Sequence, residues 1–318
     1  KKLKVAVVFS GFLGDKSFND SAYEGLKKAQ QDFGIEFKVL ESKVPSDWET
    51  NFVSAASDDS YDLVLAISSQ FTDIVNNHAD EFKNVKIGII DSVVKKPNVS
   101  SAIFAQNEGS FLAGAAAALF TQKTDIPNVN GEKIIGWVGG MDIPVLQDFL
   151  TGYKQGAAYI DPQTKVLVSF AGTFNDPLKG KELTLAQYSQ GADIVMNVAS
   201  NTGNGILEAA KDSKKYAIGV DINQDDIYPG FILTSMLKRV DVATYNMIKQ
   251  VHEGNFKGGE IVRMDASNGG VGLTDMAAMK TALKDKFPED ILAKINELTE
   301  KIKKGEIKVE SYPGFKVE

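Results

Sequence analysis

The sequence has no cysteine, two histidines and no apolar run long enough to cross a membrane. Lack of cysteine excludes disulfides, thiolate nucleophiles and thiolate-held zinc or iron–sulfur sites. His78 and His252 both fall in helical patterns away from strand ends, where surface or packing roles are expected. The longest small apolar stretch, Ala113 to Phe120, makes about two helical turns and suits a buried helix rather than a span. No basic stripe is present, and the net charge of -7 argues against a nucleic-acid surface. Neither GxSxG nor HExxH occurs. Gly180-Lys181 is followed by Glu182, which breaks a phosphate-loop reading, and Glu208 stands where a dinucleotide fingerprint needs its third glycine. Asp58-Asp59 and Asp225-Asp226 sit in turns without calcium-loop spacing and are expected to be solvated. No cofactor or metal is expected.

What is present is an ordinary globular composition, 43% apolar and 24% charged, in a chain of 318 residues, long enough for two domains with separate cores. The start at Lys1 without Met reads as a trimmed or mature start, so a signal segment could have preceded it. Near the C-terminus, Lys301, Lys303, Lys304 and Lys308 alternate with glutamates as a solvated helical face.

The chain also repeats itself. Residues 4–11 read Lys-Val-Ala-Val-Val-Phe-Ser-Gly and residues 165–172 read Lys-Val-Leu-Val-Ser-Phe-Ala-Gly; each leads into a Phe-Asn-Asp triplet, at Phe18 and at Phe174. Val-rich runs that end in Gly and enter a helix are how buried parallel strands meet crossover helices, and ligands sit at such carboxyl ends. Strands are expected at Val5–Phe9, Phe37–Leu40, Leu63–Ile67, Lys86–Ile90 and Ala102–Ala105, alternating with helices near 19–33, 47–58, 71–83 and 108–122. After the loop Lys123 to Lys133 the pattern restarts. Strands are expected at Ile134–Val138, Val166–Phe170, Ile194–Val198, Ala217–Val220 and Phe231–Thr234, and helices near 144–158, 178–190, 204–212 and 239–253. The fold class is α/β, with two Rossmann-like lobes. Residues 1–123 plus 237–258 are expected to form an N-terminal lobe and 124–236 plus 259–318 a C-terminal lobe, with Gly258-Gly259 as a swivel.

Several side chains carry two readings. Phe18 and Phe174 are either core residues or two faces of a sandwich for a flat ring, at the same topological point of each lobe. Asn19 offers one donor and one acceptor to a ring edge. Asp20, Asn175 and Asp176 suit helix capping. Asp221, which closes a strand, is a cap, a loop hydrogen-bonder or an acceptor for vicinal hydroxyls. Lys238 is a surface lysine or a donor to the same ligand. The loop Ala199 to Gly205 places backbone N–H groups at a helix start.

Together, Gly14-Asp15-Lys16-Ser17-Phe18-Asn19-Asp20, Gln106 to Gly114, Gly136 to Pro144, Gly172-Thr173-Phe174-Asn175-Asp176, Gly191-Ala192-Asp193-Ile194, Ile218-Gly219-Val220-Asp221 and Thr234 to Lys238 resemble the basic membrane protein (Bmp) family. These are PnrA-like nucleoside-binding lipoproteins of ABC transporters. The resemblance spans essentially the whole chain. It implies a type I periplasmic-binding-protein fold with a three-stranded hinge and a purine nucleoside stacked between Phe18 and Phe174 in an interlobe cleft. It also implies that ribose hydroxyls are held by Asp221 and Lys238, with further contacts from Asn19 and the backbone near Ser200. Nucleoside-binding members often carry Asp where this chain has Ser10 and Gln106, so a hydroxyl and an amide alter the hydrogen-bond pattern here. A nucleoside is the first reading of the ligand; riboflavin or another flat heterocycle is the alternative. A nucleoside-acting enzyme would need a general acid, a metal-binding carboxylate cluster or a phosphate cradle, and the sequence offers none. The expected partner is an ABC permease, the expected state a monomer, and the expected location extracytoplasmic, as a periplasmic or membrane-anchored lipoprotein.

Overall fold

The computed structural model of the chain describes residues 1–315, and the elements named below are those of the described residues. Two compact units are present. Unit 1 comprises Lys1–Gly14, Phe18–Phe104 and Arg239–Met264; unit 2 comprises Asp15–Ser17, Ala105–Lys238 and, of the described residues, those from 265 to 315. Apart from the short Asp15–Ser17 segment, the chain passes between units after Phe104, Lys238 and Met264.

Unit 1 holds strands β1 (Lys4–Phe9), β2 (Glu36–Leu40), β3 (Leu63–Ile67), β4 (Ile87–Ile90), β5 (Val99–Phe104) and β11 (Ile261–Met264), with helices α1 (Phe18–Phe33), α2 (Ser46–Ala56), α3 (Thr72–His78) and α8 (Val240–His252). The sheet runs β2-β1-β3-β4-β5-β11, parallel throughout. Buried on both faces, its central strands are continuous apolar runs, as in Leu63-Val64-Leu65-Ala66-Ile67. Ala6, Val8, Val64, Ala66 and Ile89 meet Phe52 and Phe71 in one core.

Unit 2 holds β6 (Ile134–Gly139), β7 (Lys165–Phe170), β8 (Ile194–Val198), β9 (Tyr216–Asp221), β10 (Ile232–Lys238) and β12 (Val271–Leu273), with α4 (Gln106–Phe120), α5 (Pro144–Ile160), α6 (Pro177–Ser189), α7 (Thr202–Ser213), α9 (Ala277–Leu283) and α10 (Glu289–Lys303). The order is β7-β6-β8-β9-β10-β12, parallel except for β12 against β10. Helices α4 and α5 touch backbone to backbone: a Cβ on Gly114 would lie 2.0 Å from the Tyr153 carbonyl oxygen, and one on Gly156 1.9 Å from that of Phe111. Asp193, wholly buried before β8, accepts from Thr121 Oγ1 (2.8 Å) and Asn130 N (3.3 Å), tying the end of α4 and the following loop to the sheet.

The two α/β lobes stand as expected, but three expectations need correction. First, the repeated strand segments are not equivalent in the folded chain. β1 corresponds in sheet order to β6, whereas β7 is an edge strand like β2. Their compositions match, yet β1 is buried from Val5 onward while β7 exposes Val168. Phe18 and Phe174 therefore follow different strands of the common plan. Second, the unit boundary falls after Phe104, not after residue 123, because α4 packs on α5. Third, residues 259–264 belong to unit 1: Gly259 N bonds Val99 O (2.7 Å) and leads into β11. Gly258 sits against Pro97, where a Cβ would come 1.6 Å from the carbonyl oxygen, so it is a packing glycine within the unit.

Candidate functional site

In unit 1 the sequence-predicted residues gather where β1 ends and α1 begins. Ser10 follows β1 and is half-buried, its carbonyl accepting from Trp48 Nε1 at 2.8 Å. Phe18 opens α1 and is half-buried; Asn19 beside it is buried, its Nδ2 donating to Phe12 O at 3.0 Å. Asp20 Oδ1 accepts from Gly14 N at 2.7 Å, which fastens the loop to the first turn of α1. The set lies at the carboxyl end of a parallel strand, the common ligand position in open α/β sheets.

In unit 2 the loop after β7 presents Phe174. Its ring rests on Gly140, where a Cβ would stand 2.2 Å from Cδ1. The loop is secured by the buried Thr202: its N–H donates to Phe174 O (3.0 Å), its hydroxyl donates to Thr173 O (2.9 Å) and accepts from Asp176 N (2.9 Å). Asp176 caps α6 as expected, accepting from Lys179 N at 3.0 Å. Asn175 does not cap; its Oδ1 accepts from Asn201 Nδ2 at 2.6 Å.

Asp221, buried at the end of β9, accepts a hydrogen bond from Ser17 Oγ. Ser200 Oγ donates to Asp15 Oδ2 at 2.7 Å, and Asp15 Oδ1 accepts from Ser17 N at 3.0 Å. The structure thus brings Ser200 and Asp221 together with Asp15 and Ser17. Ser200 (φ 51°), Asp221 (φ 70°) and Lys16 (φ 55°) all hold left-handed backbone, which costs a residue other than glycine about 1–3 kcal/mol and concentrates at ligand sites. Gln224 braces the group: its Oε1 accepts from Val220 N (2.9 Å) and Asn197 Nδ2 (3.2 Å), and its Nε2 donates to Lys16 O (2.7 Å).

Lys238, the last residue of β10, is almost wholly buried, with Nζ 5.0 Å from the Phe149 ring centroid. Gln106 opens α4, is fully buried and donates from Nε2 to Asp148 Oδ2 at 2.5 Å. Asp225 corrects the expectation of a solvated acid: it is buried, accepting from Ser235 Oγ (2.5 Å) and Thr274 Oγ1 (2.6 Å), and burial raises its pKa. Sequence reasoning missed Gly140, Asp148 and Gln224 as supports. Asp148 had a signal, being an acid on the apolar face of α5 among Val145, Leu146 and Phe149. The histidines lie elsewhere, His78 between Glu49 (2.7 Å) and Glu81 (3.1 Å), and His252 stacked on Phe33 at 4.7 Å.

A family model described as "ABC transporter substrate-binding protein PnrA-like" matches residues 2–312. An uncharacterised lipoprotein of Pyrococcus abyssi is 33% identical, over 96% of this chain and 84% of its own. The ABC transporter nucleoside-binding protein BmpA of Lactococcus lactis is 34% identical, over 85% of this chain and 81% of its own. The crystal structure of an ABC transporter solute-binding protein from Aeropyrum pernix superposes with a TM-score of 0.89 at 29% identity, covering 96% of this chain and 92% of that one. With its two α/β lobes, the chain belongs to the PnrA-like family of ABC transporter substrate-binding proteins.

Proposed function

We propose that the chain captures a nucleoside, first a purine nucleoside, for an ABC importer, with the base stacked between Phe18 and Phe174. Asp221 and Lys238 hold the ribose hydroxyls, and Ser10, Asn19, Gln106 and Ser200 supply further polar contacts. The observation that carries this reading is Phe174, a half-buried ring backed by Gly140 on a loop that Thr202 locks at the carboxyl end of a parallel sheet. A carboxylate has about four acceptor positions, which suits Asp221 to vicinal hydroxyls. The nucleoside-binding relative from Lactococcus lactis supports the ligand class. Its role is binding and delivery to a membrane permease, not turnover, and it acts as a monomer outside the cytoplasm.

Native mass spectrometry of the purified protein, followed by a denatured run, tests the reading. A released nucleoside supports it; a released flavin replaces it with the flat-heterocycle alternative. Chromatography after long incubation with nucleosides checks the absence of turnover, since protein-dependent release of free base would make this an enzyme.

A further inference from the structure

We infer that Asp148 fixes the direction of the Gln106 amide, so that Gln106 meets bound ligand as a hydrogen-bond acceptor and selects a ligand N–H or O–H at that point. The inference rests on the nucleoside reading above and adds a positioning residue and a polarity to it. An amide has a donor end and an acceptor end, and a carboxylate only accepts, so the NH2 end of Gln106 must face Asp148. The contact is 2.5 Å between Gln106 Nε2 and Asp148 Oδ2, with both side chains almost wholly buried.

Asp148 is itself held. Its Oδ1 accepts from Tyr312 N at 2.9 Å. The segment carrying Tyr312 is pinned by Asn107 Nδ2 to Glu310 O (3.0 Å) and Ser311 Oγ (3.2 Å), and Gln155 Oε1 accepts from Glu310 N (2.8 Å). Helices α4 and α5 meet beside the pair with no space to adjust: a Cβ on Gly152 would lie 2.1 Å from Asn107 O.

Gln106 Oε1 is left buried with no hydrogen-bond partner. Such an acceptor costs about 1–3 kcal/mol and calls for an explanation. Among the described residues the buried amide oxygen of Gln187 also lacks a partner, but it is packed against the backbone of its own sheet, where a Gly136 Cβ would come within 2.0 Å, while its Nε2 serves Trp137 O and Ser169 Oγ. Gln106 Oε1 has no comparable account inside the protein, and a ligand donor supplies one.

Two variants test this by calorimetric titration with adenosine, inosine, guanosine, cytidine and uridine. In Asp148→Asn the new side chain keeps an acceptor for Tyr312 N–H and turns its NH2 toward Gln106, which must rotate and present NH2 to the ligand. The best-bound nucleoside should weaken by about tenfold or more, with little change in melting temperature. In Asp148→Asn with Gln106→Glu, one glutamate oxygen accepts from Asn and the other faces the ligand, so affinity should return to within about threefold of the original. An unchanged Asp148→Asn, or a double variant as weak as the single one, overturns the inference and leaves the nucleoside reading in place. If the unaltered protein binds none of the five, both fall together.

Discussion

Gly140 is the seat of the Phe174 ring, so close that a Cβ there would stand 2.2 Å from the ring's Cδ1. Alanine at this position must displace the ring. Gly140→Ala is therefore expected to weaken nucleoside binding nearly as much as Phe174→Ala, which removes stacking worth about 1–3 kcal/mol. Titration calorimetry on both variants checks this. Because the ring is half-buried, Phe174→Ala should barely move the melting temperature, and a large drop would make the ring a core residue instead.

Thr202 is expected to act through stability. Thr202→Val keeps the shape but leaves Asp176 N–H and Thr173 C=O without the hydroxyl that serves both. Equilibrium denaturation should show a loss of about 1–3 kcal/mol. A neutral result would mean that the loop after β7 is held by other contacts.

Asp193 should make stability depend on pH. Burial pushes its pKa up from 3.8 to about 6, against the opposing bonds from Thr121 and Asn130. The unfolded chain releases this proton near the lower value, so the folded state binds more protons between the two. Stability from this group therefore falls as pH rises through that window and is level above it. Relative to Asp193→Asn, the unaltered protein should gain on the order of 1–3 kcal/mol as pH is lowered from about 7 to about 4. A flat difference, measured by urea denaturation, contradicts the assignment.

His78 predicts the same sign at a different place in the fold. Its bond to Glu49, then that to Glu81, raises its pKa above 6.5. The clamp between α2 and α3 is therefore fully present below the unfolded value and lost as pH rises through the folded one. His78→Gln should lower the melting temperature more at about pH 6 than at about pH 8.5; equal losses would indicate packing alone.

Much of this fold was legible because buried parallel strands announce themselves as apolar runs. β3 and β8 match their expected spans, Leu63–Ile67 and Ile194–Val198. β5 and β10 are longer than expected because each buries polar residues, Ser100 and Ser101 in one and Ser235 and Lys238 in the other. β11 and β12 are too short for periodicity to register. The likeness of residues 4–11 to 165–172 misled because composition records burial and not neighbours, whereas sheet order is set by pairing. At the site, residue types were readable but supports were not: Gly140 and Asp148 gain their roles only when β7 and α4 are brought beside them.

The most direct test of the central claim is titration of ligand-stripped protein with purine nucleosides, alongside Phe18→Ala and Phe174→Ala. Saturable binding by the unaltered chain, weakened by about 1–3 kcal/mol in each variant, is the predicted result. No binding of any nucleoside, or riboflavin binding in its place, would contradict the account.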